Sequence, residues 1–534
     1  MTNQRVISIG FEAMEPELVE KWMAEGHLPH FKKLRDQGTF RKMRSPAEVS
    51  SGATWSSINC GVTPGKHGMG FCHRQFKNGS YDVRKKRADE VGRLPFWVDL
   101  AKQGKRVCIM DVPETRIYEN VEGVQIVGWG LEYQAWDKVS VPAEIMSDIE
   151  LKYGAHPLHG WYQEKPETTE EWQQIINNVV SATYTRTKII KDLLQKESWD
   201  FFLVAYAETH FAGHLFWHIS DPEHPEYDPE IAKILGNPIL ENYKACDQAL
   251  KEIMELEPHA NIVIISNTGM GPNYSARHFI GPILSRLNLT PEKKTKSIFR
   301  KGLEKVLPAA DVYAVENFEK LIGPKNITRI KNFIPEKFWD KWSRKFLNAG
   351  NNWKDSIAFD IPGDNTGTIR VNLKDREPAG KVDPSDYDSI IDKIEEACMD
   401  LINKDTGEKA VREVVRVRKK YEGPNNIDLP DVLIKWTEGK PIYRLYSERF
   451  GLIEKDHLPD KRTGAHRDFG FFIGCGKDFL SCSTKNLEQM YNWDVAPTIM
   501  HLMELPQSSD YDGNPQLDMI NDSFKSETKV EVTS

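Results

Sequence analysis

The chain has 534 residues, of which 39% are hydrophobic and 28% charged, and 71 Lys+Arg against 79 Asp+Glu give a net charge of −8. Such a chain buries a sizeable core, which excludes a disordered protein, and it lacks the clustered positive charge that a general nucleic-acid binder needs. Seven scattered cysteines without a C-x-x-C pair argue against a disulfide framework or a thiolate zinc site and suit a reducing, cytoplasmic compartment.

The segment MTNQRVISIGFEAMEP has no signal-peptide pattern, and the apolar runs fall far short of a membrane span, so no membrane partner is expected. Short apolar runs read as buried strands at Val6–Gly10, Val107–Asp111, Val124–Gly128, Phe201–Tyr206, Asn261–Ser266, Thr368–Asn372, Val432–Trp436 and Gly470–Gly474. Helical patterns lie at Leu18 to Ala24, Phe31 to Leu34, Ile175 to Leu194 and Leu240 to Leu256. Strands alternating with helices predict an α/β fold with a doubly wound, mostly parallel sheet flanked by helices. Ligand sites in such sheets form beyond the carboxyl ends of the strands.

From Arg286 to Lys345 the composition changes to 15 Lys/Arg against 7 Asp/Glu, with little strand signal and six Phe or Trp residues. This reads as a helical insertion, whose basic face is either ordinary solvated surface or a lid over an anionic substrate. From Ser508 on the chain turns polar, as a tail does.

Four places could carry chemistry. His210 and His214 directly follow the Phe201–Tyr206 strand, and their i, i+4 spacing puts both imidazoles on one helical face, the arrangement that grips a metal; His218 extends the row. His466, in TGAHRDFGFFIG, is the candidate third imidazole. Ser50 to Met69, SSGATWSSINCGVTPGKHGM, places hydroxyl residues before a helix predicted from about Gly52 to Cys60, where backbone N–H groups and the helix dipole suit an oxyanion; an ordinary Ser cap is the plainer reading. Glu12 lies just past the first strand, and Asn267 and Thr268 close the Asn261–Ser266 strand, where either could be a simple turn residue. Lys66 and His67 read as turn-holding, Trp129 and Trp136 as pocket lining or, more plainly, packing, Arg277 and His278 as residues after the strand-end loop that could face the site, and Asp111 as a strand-end carboxylate without a role.

Taken in order, these segments resemble the alkaline phosphatase superfamily, and within it the type I phosphodiesterase/nucleotide pyrophosphatase branch. GFEAMEPELVEKWMAEGHLPHFKKLRDQG looks like its first strand and helix, SGATWSSINCGVTPGKHGM like its nucleophile helix and turn, and RVNLKDREPAGKV and LPDVLIKW like its later segments. The resemblance implies residues 1–280 and 350–507 as an alkaline-phosphatase-like core, 281–349 as the basic insertion or cap, and 508–534 as the tail.

Members of that family hold two divalent metals. Carried over by position, the family's first Asp falls on Glu12, the Thr or Ser nucleophile on Ser51, the S-D-H-G pair on Asn267 and Thr268, the D-x-x-G-H pair on His210 and His214, and the late His on His466. Glu12, His210 and Asn267 thus stand where the family has three Asp ligands, so one carboxylate remains. The resemblance, so altered, implies one metal on His210, His214 and His466 with Glu12 in reach, zinc first and iron or manganese as alternatives. It implies a hydrolase or transferase acting on a small anionic phosphate, phosphonate or sulfate ester, with Ser51 as nucleophile and Asn267 as hydrogen-bond donor. Two other readings keep the fold: a mononuclear iron, copper or manganese enzyme of redox, lyase or isomerase type, and a catalytically inactive binding protein. A homo-oligomer is compatible with all three.

Overall fold

The computed structural model describes residues 4–70, 74–76, 79–81, 83–85, 88–130, 138–158, 166–291, 353–361, 363–454, 462–481, 489–521, 524 and 532–533. Its first half alternates as the sequence predicts: β1 Val6–Phe11, α1 Pro16–Ala24, α2 Pro29–Gln37, β2 Thr39–Arg44, α3 Ser51–Cys60, β3 Val107–Met110, β4 Gly123–Val127 and β5 Val139–Val141. There follow α4 Glu144–Tyr153, α5 Thr169–Lys196, β6 Phe201–Tyr206, α6 Glu208–Ser220, α7 Pro238–Leu256, β7 Asn261–Ser266, β8 Gly269–Pro272 and α8 Ile280–Arg286. The later elements used below are β9 Ala358–Asp360, β10 Gly367–Val371, α9 Tyr387–Met399, β11 Val411–Arg416, β12 Val432–Trp436, β13 Gly464–Arg467, β14 Phe469–Cys475, β15 Met490–Tyr491 and α10 Val495–Leu502.

The central sheet has nine strands in the order β15-β2-β14-β7-β1-β6-β3-β4-β5. β7, β1, β6, β3 and β4 run parallel, whereas β14 is antiparallel to both β7 and β2. The sheet is covered on both faces. Ile7, Ile9 and Phe11 of β1 pack with Trp22 of α1, Phe31 of α2 and the apolar sides of α5, α6 and α7. Val6, with Val263 and Ile265 of β7, packs on the other face with Trp55 of α3 and Ile499 of α10. Alternate residues of one strand feed two cores, which is why these strands read as unbroken apolar runs. α5 is long but amphipathic, and among the described residues no helix is long and apolar enough to cross a membrane.

Two of the eight predicted strands lie elsewhere. β10 and β12 belong to a separate antiparallel sheet of order β9-β10-β12-β11, and they are not part of the central one. Its core joins Ile369, Val371, Val432 and Ile434 to Ile280, Ile283 and Leu284 of α8 and to Ile391 and Ile394 of α9. Apolar content alone marks a covered strand and does not say which sheet it joins. A buried network ties this sheet together: Arg376 donates to both carboxylate oxygens of Asp431, at 2.8 and 2.7 Å, while Arg370 and Arg376 share Oε1 of Glu377. Most of the expected basic insertion, residues 292–349, lies outside the described residues.

Candidate active site

Three adjacent parallel strands end side by side, with Phe11 paired to Tyr206 and Gly10 to Ile265. The residues that follow them are Glu12 after β1, the start of α6 after β6, and Asn267 with Thr268 after β7. Because β14 is antiparallel, the chain leading into it arrives at this same edge. That lead-in is β13, which pairs with β8 so that Met270 faces His466.

His210 and His214 lie one turn apart on α6, and β13 brings His466 to them, 256 residues beyond His210. The Nε2 atoms converge: His214 to His210 is 2.9 Å, and His210 to His466 is 3.3 Å. The approach needs glycine on both sides. A Cβ on Gly464 would sit 2.0 Å from the Gly213 carbonyl oxygen, and one on Gly213 would sit 2.7 Å from Cγ of Met270. The Nδ1 of His214 is 2.7 Å from the Gly464 carbonyl oxygen. A carbonyl only accepts, so Nδ1 carries the proton and the Nε2 lone pair faces the other two rings. Burial, with the neighbouring His210, Arg462 and His466, holds the His214 imidazole well below its ordinary pKa, and so neutral.

This donor set fits a divalent metal. Two nitrogens ~2.1 Å from a tetrahedral ion stand roughly 3.4 Å apart. The three imidazole nitrogens all lie within 4.8 Å of one another, and among the described residues these three alone make up a group of possible ligands. Glu12 falls outside that group. Its backbone carbonyl accepts the Thr209 hydroxyl at 2.6 Å, which ties the end of β1 to the start of α6.

α6 rests on a buried charge network. Glu208, in its first turn, accepts from Nε of Arg186 on α5 at 2.9 Å and lies 2.9 Å from Nε2 of His156. Arg186 also donates to Asp111 at 2.7 Å, and Asp111 accepts three backbone N–H groups, from Gly128, Trp129 and Gly130. Burial alone would raise the Glu208 carboxyl, but Arg186 and His156 overcome it and hold it at about 2. Asp111 thus acquires a role that its position alone did not reveal. It anchors the arginine that anchors the histidine helix.

α3 carries Ser51 over the opposite face. A Cβ on Gly10 would strike Trp55 at 2.4 Å, so this helix packs directly on β1. The helix is capped by Ser50, whose hydroxyl accepts from Ala53 N at 3.1 Å. Ser51 is therefore not the cap. Its hydroxyl and its backbone N–H both donate to Oδ2 of Asp364, at 3.0 and 2.9 Å. Asp364 was not foreseen. It comes from the other sheet, in the turn GDNTG before β10, and only the turn composition of that segment marks it in the sequence. The amide of Asn267 spans between elements: Oδ1 accepts from Ala13 N at 2.9 Å and Nδ2 donates to the Thr54 hydroxyl at 2.7 Å. Thr268 donates to the Arg467 carbonyl, beside His466.

The remaining candidates have structural roles. Nδ1 of His67 accepts from Met69 N, and its Nε2 faces the Ser57 hydroxyl, so it holds its turn; Lys66 pairs with Asp512. His218 faces the Thr463 hydroxyl at 3.1 Å. Trp129 packs edge-on against His156, and Trp136 lies outside the described residues. Arg277 donates to the Gly363 carbonyl, and the His278 ring packs on Phe279. A cavity of about 70 Å³ is lined by Ser275, Asn365, Thr366 and His466 and by the paired Lys435 and Asp468.

The α/β sheet thus carries an imidazole cluster and a helix-borne serine beyond its strand ends. The chain belongs to the type I phosphodiesterase / nucleotide pyrophosphatase family, whose model matches residues 6–460. No curated protein matches it. Among solved structures it is similar to phosphonoacetate hydrolase from Sinorhizobium meliloti 1021, determined with phosphonoformate, at 14% identity over 92% of this chain and 94% of that one, with a TM-score of 0.45. It is also similar to murine ectonucleotide pyrophosphatase / phosphodiesterase 5 at 11% identity (97% and 100% covered, TM-score 0.46) and to its human counterpart at 12% (97% and 100%, TM-score 0.45).

Proposed function

We propose that this protein is a one-metal hydrolase of small anionic phosphate, phosphonate or sulfate esters, with Ser51 as the attacking group. The convergence of three Nε2 atoms at the strand ends, in a chain of this family, carries the reading. His210, His214 and His466 would hold the ion, zinc first and iron or manganese as alternatives. When bound, such an ion stabilises developing oxyanion charge. Ser51 attacks from the first turn of α3, where the helix dipole favours an anionic substrate. Asn267 holds the Thr54 side of that turn and has a second amide hydrogen to offer the ester. Glu12, whose backbone carbonyl accepts the Thr209 hydroxyl next to His210, would add a carboxylate near the ion. The low cysteine content fits the cytoplasm as the compartment.

The test is hydrolysis of bis(p-nitrophenyl) phosphate by the zinc-loaded full chain. Ser51→Ala and His214→Ala should each abolish turnover. Turnover that survives Ser51→Ala and is lost in His214→Ala would remove Ser51 as nucleophile. Turnover indifferent to both would overturn the reading.

A further inference from the structure

A serine hydroxyl is a weak nucleophile unless something takes its proton. Where the family resemblance implies a metal-ligating Asp, this chain has Asn267, and its amide is engaged with Ala13 and Thr54. Oδ2 of Asp364 receives the Ser51 hydroxyl at 3.0 Å, and Asp364 is 6% exposed. We infer that Asp364 is the proton acceptor of Ser51, a catalytic carboxylate delivered to the nucleophile helix by the second sheet. This rests on the reading of Ser51 as the attacking group.

The loop that carries Asp364 is fixed on both sides. Asn365 donates to the His466 carbonyl at 2.6 Å, and Thr366 donates to the Glu48 carbonyl at 2.9 Å, three residues before Ser51. Ser275 donates to the Asn365 carbonyl at 2.9 Å, and Arg277 holds Gly363. A side chain at 363 would not fit, because its Cβ would lie 2.1 Å from the Thr368 hydroxyl. The same few residues therefore tie the carboxylate to the segment before the nucleophile and to the strand of the third imidazole. Such a base is preorganised.

In the first half-reaction the Oγ–P bond forms, the bond from phosphorus to the leaving oxygen breaks, and the hydroxyl proton passes to Oδ2 of Asp364. In the second, water oxygen bonds to phosphorus, the Oγ–P bond breaks, and Asp364 returns its proton to Oγ. Water keeps one hydrogen in the product acid and yields the other to the departed oxide. The sum is ester plus water giving acid plus alcohol.

A carboxylate that only capped the helix would be satisfied by the Ser51 N–H alone. Asp364→Asn separates the roles, because the amide oxygen still accepts from that N–H but cannot take a proton. The probe is an alkyl fluorophosphonate, which forms the Oγ–P bond and expels fluoride; modification of Ser51 in the full chain is followed by peptide mass spectrometry. Asp364→Asn should slow it at least about a hundredfold with an unchanged melting temperature, and Asp364→Glu should recover part of the loss. The wild-type rate should fall on acidification as one carboxylate protonates, a measurement that stands even if a variant misfolds. A wild type that is unlabelled at Ser51, a pH-independent rate, or an Asn variant as fast as wild type would overturn the inference. Hydrolysis of bis(p-nitrophenyl) phosphate is run alongside. Labelling that needs Asp364 in a protein without turnover upholds the inference and sinks the hydrolase reading. Turnover that needs Ser51 but ignores Asp364→Asn does the reverse.

Discussion

His214 gives its Nδ1 proton to the carbonyl oxygen of Gly464, 2.7 Å away. This bond reaches from α6 to β13, the strand that carries His466, so one contact sets both the tautomer of one imidazole and the position of another. Backbone partners of this kind orient metal-bound histidines and raise their basicity.

The first prediction is a stoichiometry. The as-isolated protein should contain about one equivalent of a first-row divalent metal by plasma mass spectrometry. His214→Ala and His466→Ala should each lower it to a small fraction, and prolonged chelation should lower the melting temperature of the wild type but not of His214→Ala. Two equivalents per chain would show that Glu12, Ser51 and Asn267 hold a second ion after all.

The second concerns the support beneath the site. Arg186 is fully buried between Asp111 and Glu208. Replacing it by Met keeps much of its volume but strands two buried carboxylates. Removing one partner of a buried ion network typically costs about 3–5 kcal/mol. Arg186→Met should therefore lower the urea midpoint markedly, and metal content should fall with it, because Glu208 opens the helix that carries His210 and His214. A midpoint within error of wild type would show that water reaches the network.

The strands and the i, i+4 pair on α6 were legible from local periodicity, and α3 from the hydroxyl residues that lead into it. His466 was reachable because a glycine-bounded loop flagged it and the family resemblance places its late His there. Asp364 and the Asp111–Arg186–Glu208 chain were not legible, since each joins residues far apart in sequence through side-chain geometry that no local pattern encodes. The same limit explains β10 and β12: their burial was readable, but their antiparallel partners β9 and β11 were not. Nothing in the local pattern marks Gly213 and Gly464 as the pair that lets a helix and a strand touch.

The third prediction is a pH dependence of stability. Glu15, which leads into α1, accepts from Met270 N at 2.8 Å and from Glu17 N at 3.2 Å. Burial raises its carboxyl to about 7, and the attraction of Arg467 and the two N–H groups only partly offsets this. The folded state therefore binds this proton more tightly than the unfolded chain, where the group has its ordinary value of 4.5. The stability that Glu15 contributes is fully present below about pH 4.5 and is lost as pH rises through about 7, a difference on the order of 3 kcal/mol at most. In Glu15→Gln the side chain is neutral at every pH and its oxygen still accepts one N–H. Urea unfolding at pH 5 and pH 8 should thus show wild type losing more stability than Glu15→Gln over the same interval. Equal losses would mean that Glu15 stays charged in the folded protein, with Arg467 close enough to outweigh its burial.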